Sequence, residues 1–481
     1  MLINNIRSRI IFLIKPVLCI VFLASWATAG AQQADSLAGF LKEAALNNPG
    51  LKAKYSGYLA ALEKVPQAGA LPDPEVQFSF FITPMELVGG NQVADIRLMQ
   101  MSPWFGTLRA AKDEASKMAL ARFEEMNSAK NELFLQVKSS WYQVYRTKKV
   151  IVVTEKNLAL LRSLERMALI RFKAAGISSS GGTGGTSSGM ETAQKTGNSG
   201  MAGGNMGSTS ARSGGKSAGM PNSSDASMGS SNQGGLVNIL RVQIEIGSLE
   251  NRLALLKDQL ITEKTRFNSY LNRKPDIEVF VSDSLMEATL PGSLALLADS
   301  IVNNPMIKMY EADRAANEAK IKMVTRMGYP MVGIGLNYSL IQKRPDATSM
   351  MNGQDMIMPM FTATLPIYRK KYNALRREAE FLRDASAESS QNVRNELTVN
   401  YQEVVQLYND ADRRVELFKR QASLAEKSIT LLIASFSAAG TDFEEILRMQ
   451  QQLLDYEFKQ IEALVDRNVA IATLISIISS K

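Results

Sequence analysis

Two stretches of this chain, residues 107–175 and 367–439, contain neither glycine nor proline. They run for 69 and 73 residues, where a helix in a globular protein averages roughly 11–12. Apolar side chains recur through the first at helical spacing, at Leu133, Val137, Trp141, Val144, Ile151 and Leu158. Val399, Val404, Leu407, Leu417 and Leu424 do the same in the second, and charges such as Arg394, Glu396, Arg413, Arg414 and Glu416 fill the remaining faces. The pattern predicts long amphipathic helices packed side by side. Each would extend on the order of 100 Å at about 1.5 Å per residue. A plain long coiled coil would show the same periodicity.

The two runs sit in matching places of a duplicated plan. Asn47-Asn48-Pro49 answers Asn303-Asn304-Pro305 at an offset of 256, and Phe172, Ala174, Ala175 and Gly176 answer Phe436, Ala438, Ala439 and Gly440 at 264. Ile239-Leu240-Arg241 answers Ile446-Leu447-Arg448. Drifting offsets imply insertions into one common plan, and therefore a pseudo-symmetric object. Each long helix is expected to end at its Ala-Ala-Gly, because glycine accepts the left-handed backbone position there. Return helices are expected over 236–271 and 443–479.

Before each long run the period changes from helical to twofold. Val76, Phe78, Phe80 and Ile82 alternate with Gln77, Ser79 and Thr83; Val332, Ile334, Leu336, Tyr338 and Leu340 alternate with Gly333, Gly335, Asn337 and Ser339. This is strand periodicity with one apolar face. Strands are expected at about 75–83, 93–102, 331–341 and 356–365, joined by turns rich in Gly, Pro, Asn and Asp. Their lengths approach the 9–11 residues that cross a bilayer when tilted. Four strands cannot close a barrel, and lipid leaves no open edge satisfied, so several chains would have to share one. An ordinary soluble hairpin packed on helices is the competing reading.

Arg7, Arg9 and Lys15, the short apolar run 16–25, and Ala27, Ala29 and Ala31 predict a secretory signal over residues 1–31. Cys19, the one cysteine, falls inside it, so the mature chain would have no thiol. The chain has no histidine, which removes the commonest general base and metal ligand. The net charge of +8, spread along helices, does not mark a nucleic-acid binder. Carboxylates such as Glu444 and Glu445 have no catalytic partner beside them, so no enzyme site and no cofactor are expected.

With these elements placed, the chain resembles the TolC-type outer-membrane efflux family. The resemblance is carried by LPDPEVQFSFFITP (71–84), MSPWFGTLRAAKDEA (101–115), RFKAAG (171–176), MPMFTATLPIYRKKY (358–372) and SFSAAGTDFEEILRMQ (435–450), and by the order of elements stated twice. It implies an α+β membrane protein: a homotrimer with a shared twelve-stranded β-barrel in the outer membrane and a tunnel of antiparallel helical hairpins in the periplasm. It implies a periplasmic adaptor and an inner-membrane pump as partners. Leu-Pro-Asp-Pro and Pro-Trp-Phe-Gly lean toward members that serve heavy-metal pumps. A multidrug or type I protein-secretion duct, or a pore-less periplasmic scaffold, would fit the same residues. On this plan the first repeat spans 32–275 and the second 276–481.

The two hairpin tips differ. Five residues separate Gly440 from Ile446, but sixty-two separate Gly176 from Ile239. The segment 177–235 is rich in Gly and Ser and too poor in apolar side chains to offset its ordering entropy, so it is expected to be disordered. Met190, Met201, Met206, Met220 and Met228 punctuate it, and thioethers are soft ligands that favour Cu(I). They fit a soft-metal arm or an incidental linker. Asp442, Glu444 and Glu445 would line the tunnel mouth as a cation-selecting ring, or be first-turn acids favoured by the helix dipole. Arg241 and Arg448 would pair with them or contact the adaptor. Met356, Met358 and Met360 share one strand face and would line the lumen, as soft ligands or as flexible packing.

Overall fold

The computed structural model describes residues 37–180, 230–281, 290, 292–346, 350–439 and 443–478. The signal segment with Cys19, the five methionines between Met190 and Met228, Gly440 and Asp442 lie outside the described residues. The elements in chain order are α1 (Leu37–Asn47), α2 (Pro49–Gly69), β1 (Glu75–Leu87), β2 (Gly90–Ser102), α3 (Thr107–Ser180), α4 (Ser230–Tyr270), α5 (Leu294–Asp299), a 3-10 turn (Ser300–Asn303), α6 (Pro305–Met327), β3 (Met331–Gln342), β4 (Met356–Thr364), α7 (Arg369–Ala439) and α8 (Phe443–Ile478). The chain divides into two compact units. One comprises residues up to 149, 258–420 and from 458; the other comprises 150–257 and 421–457.

In the first unit, Asn48 and Asn304 perform the same two tasks. Each caps a helix that starts with proline, α2 or α6, by accepting from Leu51 N at 3.1 Å or Met306 N at 2.9 Å. Each also donates its side-chain amide to a carbonyl at the end of a distant helix, Tyr270 O at 2.9 Å or Ile477 O at 2.8 Å. A proline at the first helical position suits an already orphaned donor, and an N-cap side chain satisfies another. Around Asn48 lies a core of Phe40, Ala44, Leu133, Val137, Val144, Phe267 and Leu271. Around Asn304 lies a second, of Ile307, Tyr401, Val404, Ala470 and Leu474. Phe40 meets Phe267 edge to face at 5.1 Å, and Arg273 lies over Phe40 while pairing with Glu43.

The same unit holds one antiparallel sheet in the order β1-β2-β3-β4, which leaves β1 and β4 as open edges. β1 runs on to Leu87, past the strand expected at 75–83, because Phe81–Pro84 bulges out of the pairing and Met85 resumes it. Proline cannot donate to a ladder and is tolerated at such a bulge. All four junctions with helices fall at one end of the sheet, where Ser102 pairs with Val332 and Met331 with Thr364. At the β2–α3 junction Gly106 takes φ +79°, a conformation that glycine adopts without strain, and Arg326 donates to Phe105 O at 3.1 Å across the turn. At the other end the two hairpin turns are tied together by Gly353 N to Gly89 O at 2.8 Å and by Arg344 to Glu86 at 3.3 Å.

The second unit consists of segments of α3, α4, α7 and α8. Leu161, Leu164, Val242, Phe443 and Ile446 are buried in it. α3 does not stop at Gly176 but continues to Ser180, and α4 begins at Ser230 rather than Leu236. The ends of the expected disordered segment are therefore helical. An interior glycine costs only about 1 kcal/mol, so Gly176 weakens a helix already formed without having to end it.

Candidate functional site

The sheet has two chemically distinct faces. Residues directly opposite in an antiparallel pair share a face, so the register sorts every side chain. One face carries the rows Val76–Leu98–Leu336–Pro359, Phe78–Ile96–Tyr338–Ile357, Phe80–Ala94–Leu340 and Gln100–Ile334–Phe361. Its large side chains are open: Phe80 is 79 % exposed, Ile334 62 % and Phe361 86 %. The other face carries Glu75–Met99–Gly335–Met360, Gln77–Arg97–Asn337–Met358 and Ser79–Asp95–Ser339–Met356. There the polar groups of the two central strands are buried, Asp95 to 8 % exposure and Ser339 to 3 %. Gln92 donates to Ser339 Oγ at 3.2 Å.

Aromatic side chains gather where strands become helices. Trp104 stacks on Tyr329 at 5.6 Å and meets Phe105 at 5.9 Å, and Phe105, Ile367 and Tyr368 are exposed. Their hydrophobic area has no cover among the described residues. No described helix is long and apolar enough to cross a membrane.

The helical unit places the expected tip residues. Arg241, on α4, pairs with Glu444 on α8 at 2.5 Å, so this contact ties two helices. Arg448 pairs with Glu445 at 2.7 Å, but both stand on α8 one turn apart. Gly176 lies within α3. Near these residues Arg171, on α3, lies 4.5 Å over the Phe436 ring on α7 and donates to Phe436 O at 2.9 Å. Lower in the unit, Gln450 and Asn157 form a buried polar pair between α8 and α3. Burial raises the Glu457 carboxyl above its ordinary range, against the opposing pull of Lys156 at 3.7 Å.

Met356, Met358 and Met360 fall on one face, as their alternation requires. Sequence reading missed that Met99, Met101 and Met331 join them, since that depends on register between strands far apart in the chain. It also missed Arg171 and Phe436 as a pair, although both belong to segments that it singled out.

No protein-family model and no curated protein sequence matches the chain. Solved structures do. The outer-membrane channel OprN superposes with a TM-score of 0.67 at 14 % identity, over 92 % of this chain and 90 % of that one. The outer-membrane protein VceC from Vibrio cholerae gives 0.64 at 13 %, over 92 % and 96 %. The open state of the MtrE outer-membrane channel from Neisseria gonorrhoeae gives 0.65 at 12 %, over 93 % and 89 %. The chain therefore has the fold of these outer-membrane channels, across nearly its whole described length.

Proposed function

We propose that this chain is the outer-membrane exit duct of a tripartite efflux system, a passive conduit rather than an enzyme. The observation that carries the reading is the inverted sheet: an exposed apolar face, a polar face behind it, and two unpaired edges. Hydrocarbon stabilises such a face, and it also demands that the edges be paired. Three copies joined edge to edge, β1 of one to β4 of the next, give a closed barrel of twelve strands. The exposed Trp104, Phe105, Tyr329 and Tyr368 then stand at the membrane–water boundary, where aromatic girdles flank transmembrane barrels. The helical hairpins extend into the periplasm to meet an adaptor and an inner-membrane pump.

In this reading the helix ends form the mouth. Arg241–Glu444 joins α4 to α8, so separating those helices requires breaking it, whereas Arg448–Glu445 holds nothing across the gap. Asp442, Glu444 and Glu445, repeated in each copy, favour cations. Gly176 lies inside α3, four residues before its end. Met190, Met201, Met206, Met220 and Met228 would capture soft cations beside the mouth. Cu(I) titration of a 177–235 peptide checks that element: unsaturable binding, or binding unchanged with all five as leucine, removes it.

Fractionation, detergent sizing and planar-bilayer recording test the whole. A duct is expected in the outer membrane, sizes as a trimer in detergent and conducts ions. A protein that is freely soluble without detergent and conducts nothing is a scaffold instead.

A further inference from the structure

The methionines of the sheet are sorted by face. Met85, Met99, Met101, Met331, Met356, Met358 and Met360 all occupy the polar face, Met85 in the row Met85–Gln92–Ile341, and no methionine stands in the apolar rows opposite. If methionine served only as apolar filler, the exposed apolar face would be its natural place. Instead Val, Ile, Leu and Phe fill that face. The thioethers stand among Arg97, Asp95, Asn337 and Thr362, on a face whose one large aliphatic group in the central strands is Ile341.

The packing reserves room for two of the sulfurs. Gly333 and Gly335 lie on β3 beside Met99 and Met101. A β-carbon at either glycine would stand 3.4 Å from Met99 Sδ, and one at Gly333 would collide with Met101 Sδ. Thr362 Oγ donates to Met99 Sδ at 3.5 Å. Met360 stands opposite Gly335 in the same row as Met99, so three thioethers border the two glycines. Met356 and Met358 continue the line along β4 and are 40 % and 44 % exposed. The chain has no histidine, and its one cysteine lies outside the sheet. Thioethers are therefore the only soft donors that this surface can offer, and they select monovalent soft ions over hard ones.

We propose that the polar face of the sheet is a binding track for soft monovalent cations of the Cu(I) and Ag(I) class, centred on Met99, Met101 and Met360. The inference rests on the duct reading, in which this face lines the lumen, and it names a substrate class for that lumen. Several weak sites in a row let an ion bind and leave, as conduction requires.

The test uses the full chain in detergent, labelled with carbon-13 at the methionine methyl groups and titrated with silver nitrate in chloride-free buffer. The methyl signals of Met99, Met101, Met331, Met356, Met358 and Met360 should shift together and saturate, while those of Met118 and Met323 on helices stay still. Replacing Met99, Met101, Met358 and Met360 by leucine should abolish that saturable phase. Replacing the five methionines from Met190 to Met228 by leucine should leave it intact. Shifts shared equally by Met118 and Met323, no shifts at all, or an unchanged phase in the strand variant would overturn the proposal. Conductance in potassium nitrate separates the two claims. A conducting wild-type pore without silver binding removes the track and leaves the duct, whereas a wild-type protein that does not conduct removes both.

Discussion

The sheet and the hairpin unit are built inside out with respect to each other. In the hairpins Leu164, Val242 and Ile446 are wholly buried, while Arg162, Glu250, Arg241 and Glu444 are exposed and pair across helices. In the sheet Phe80, Ile334 and Phe361 are exposed, while Asp95, Asn337 and Ser339 are buried. These residues follow opposite rules, as the duct reading requires of regions that answer to different solvents. Water rewards the first arrangement and hydrocarbon the second. An exposed apolar sheet face in water would instead be an aggregation hazard.

A charge on the sheet's apolar face should have the largest effect. Phe361→Arg should cost about 2–4 kcal/mol per chain if the site faces mid-bilayer. The heat-resistant trimer should then be lost from the outer membrane on denaturing gels run without boiling. A protein that assembles unchanged would mean that the face does not meet lipid. In the hairpins the sign reverses. There Leu164→Ala should cost about 2–5 kcal/mol by leaving a cavity, seen as faster proteolysis of the helices with the membrane-embedded part still assembled.

Smaller effects are expected at the mouth. Arg241→Ala removes an exposed pair worth about 0–1 kcal/mol, so thermal stability should barely move while the open probability in bilayers rises. Arg448→Ala, which breaks only a contact within α8, should change it less. Equal effects would mean that neither pair holds the helices together. The smallest expected change concerns Glu457. Its folded carboxyl binds a proton more readily than the unfolded one, so the folded state gains stability as pH falls through the raised folded value toward the ordinary one. Glu457→Gln should stabilise the hairpins at neutral pH and flatten the dependence of melting on pH as it falls through the raised carboxyl range. A dependence that persists unchanged assigns it to another group.

Much of this was legible in residue order. Alternation at Val76–Ile82 and Val332–Leu340 located β1 and β3 and the apolar face of each, because a twofold period has no helical equivalent. The runs free of glycine and proline located α3 and α7. What escaped had physical causes. β1 extends past Pro84 because a bulge absorbs the residue that cannot donate. The end of α3 passes Gly176 because one glycine is a weak stop for a helix already formed. The alignment of Met99 and Met101 with Met360 depends on the register of β2 against β3, across more than two hundred intervening residues and a shift at Val93. Arg241 and Arg448 occupy equivalent places in the sequence, yet only Arg241 faces an acid on another helix. Equivalence of position did not make them equivalent in contact.

In the proposed duct the sheet stands between hydrocarbon and water. Spin labels on single cysteines at Leu336 and Asn337, in a Cys19→Ser background reconstituted into liposomes, test it at adjacent positions of β3. The label at 336 should be relaxed mainly by oxygen, which concentrates in lipid, and the label at 337 mainly by a water-soluble nickel chelate. Two labels equally open to the chelate would contradict the account.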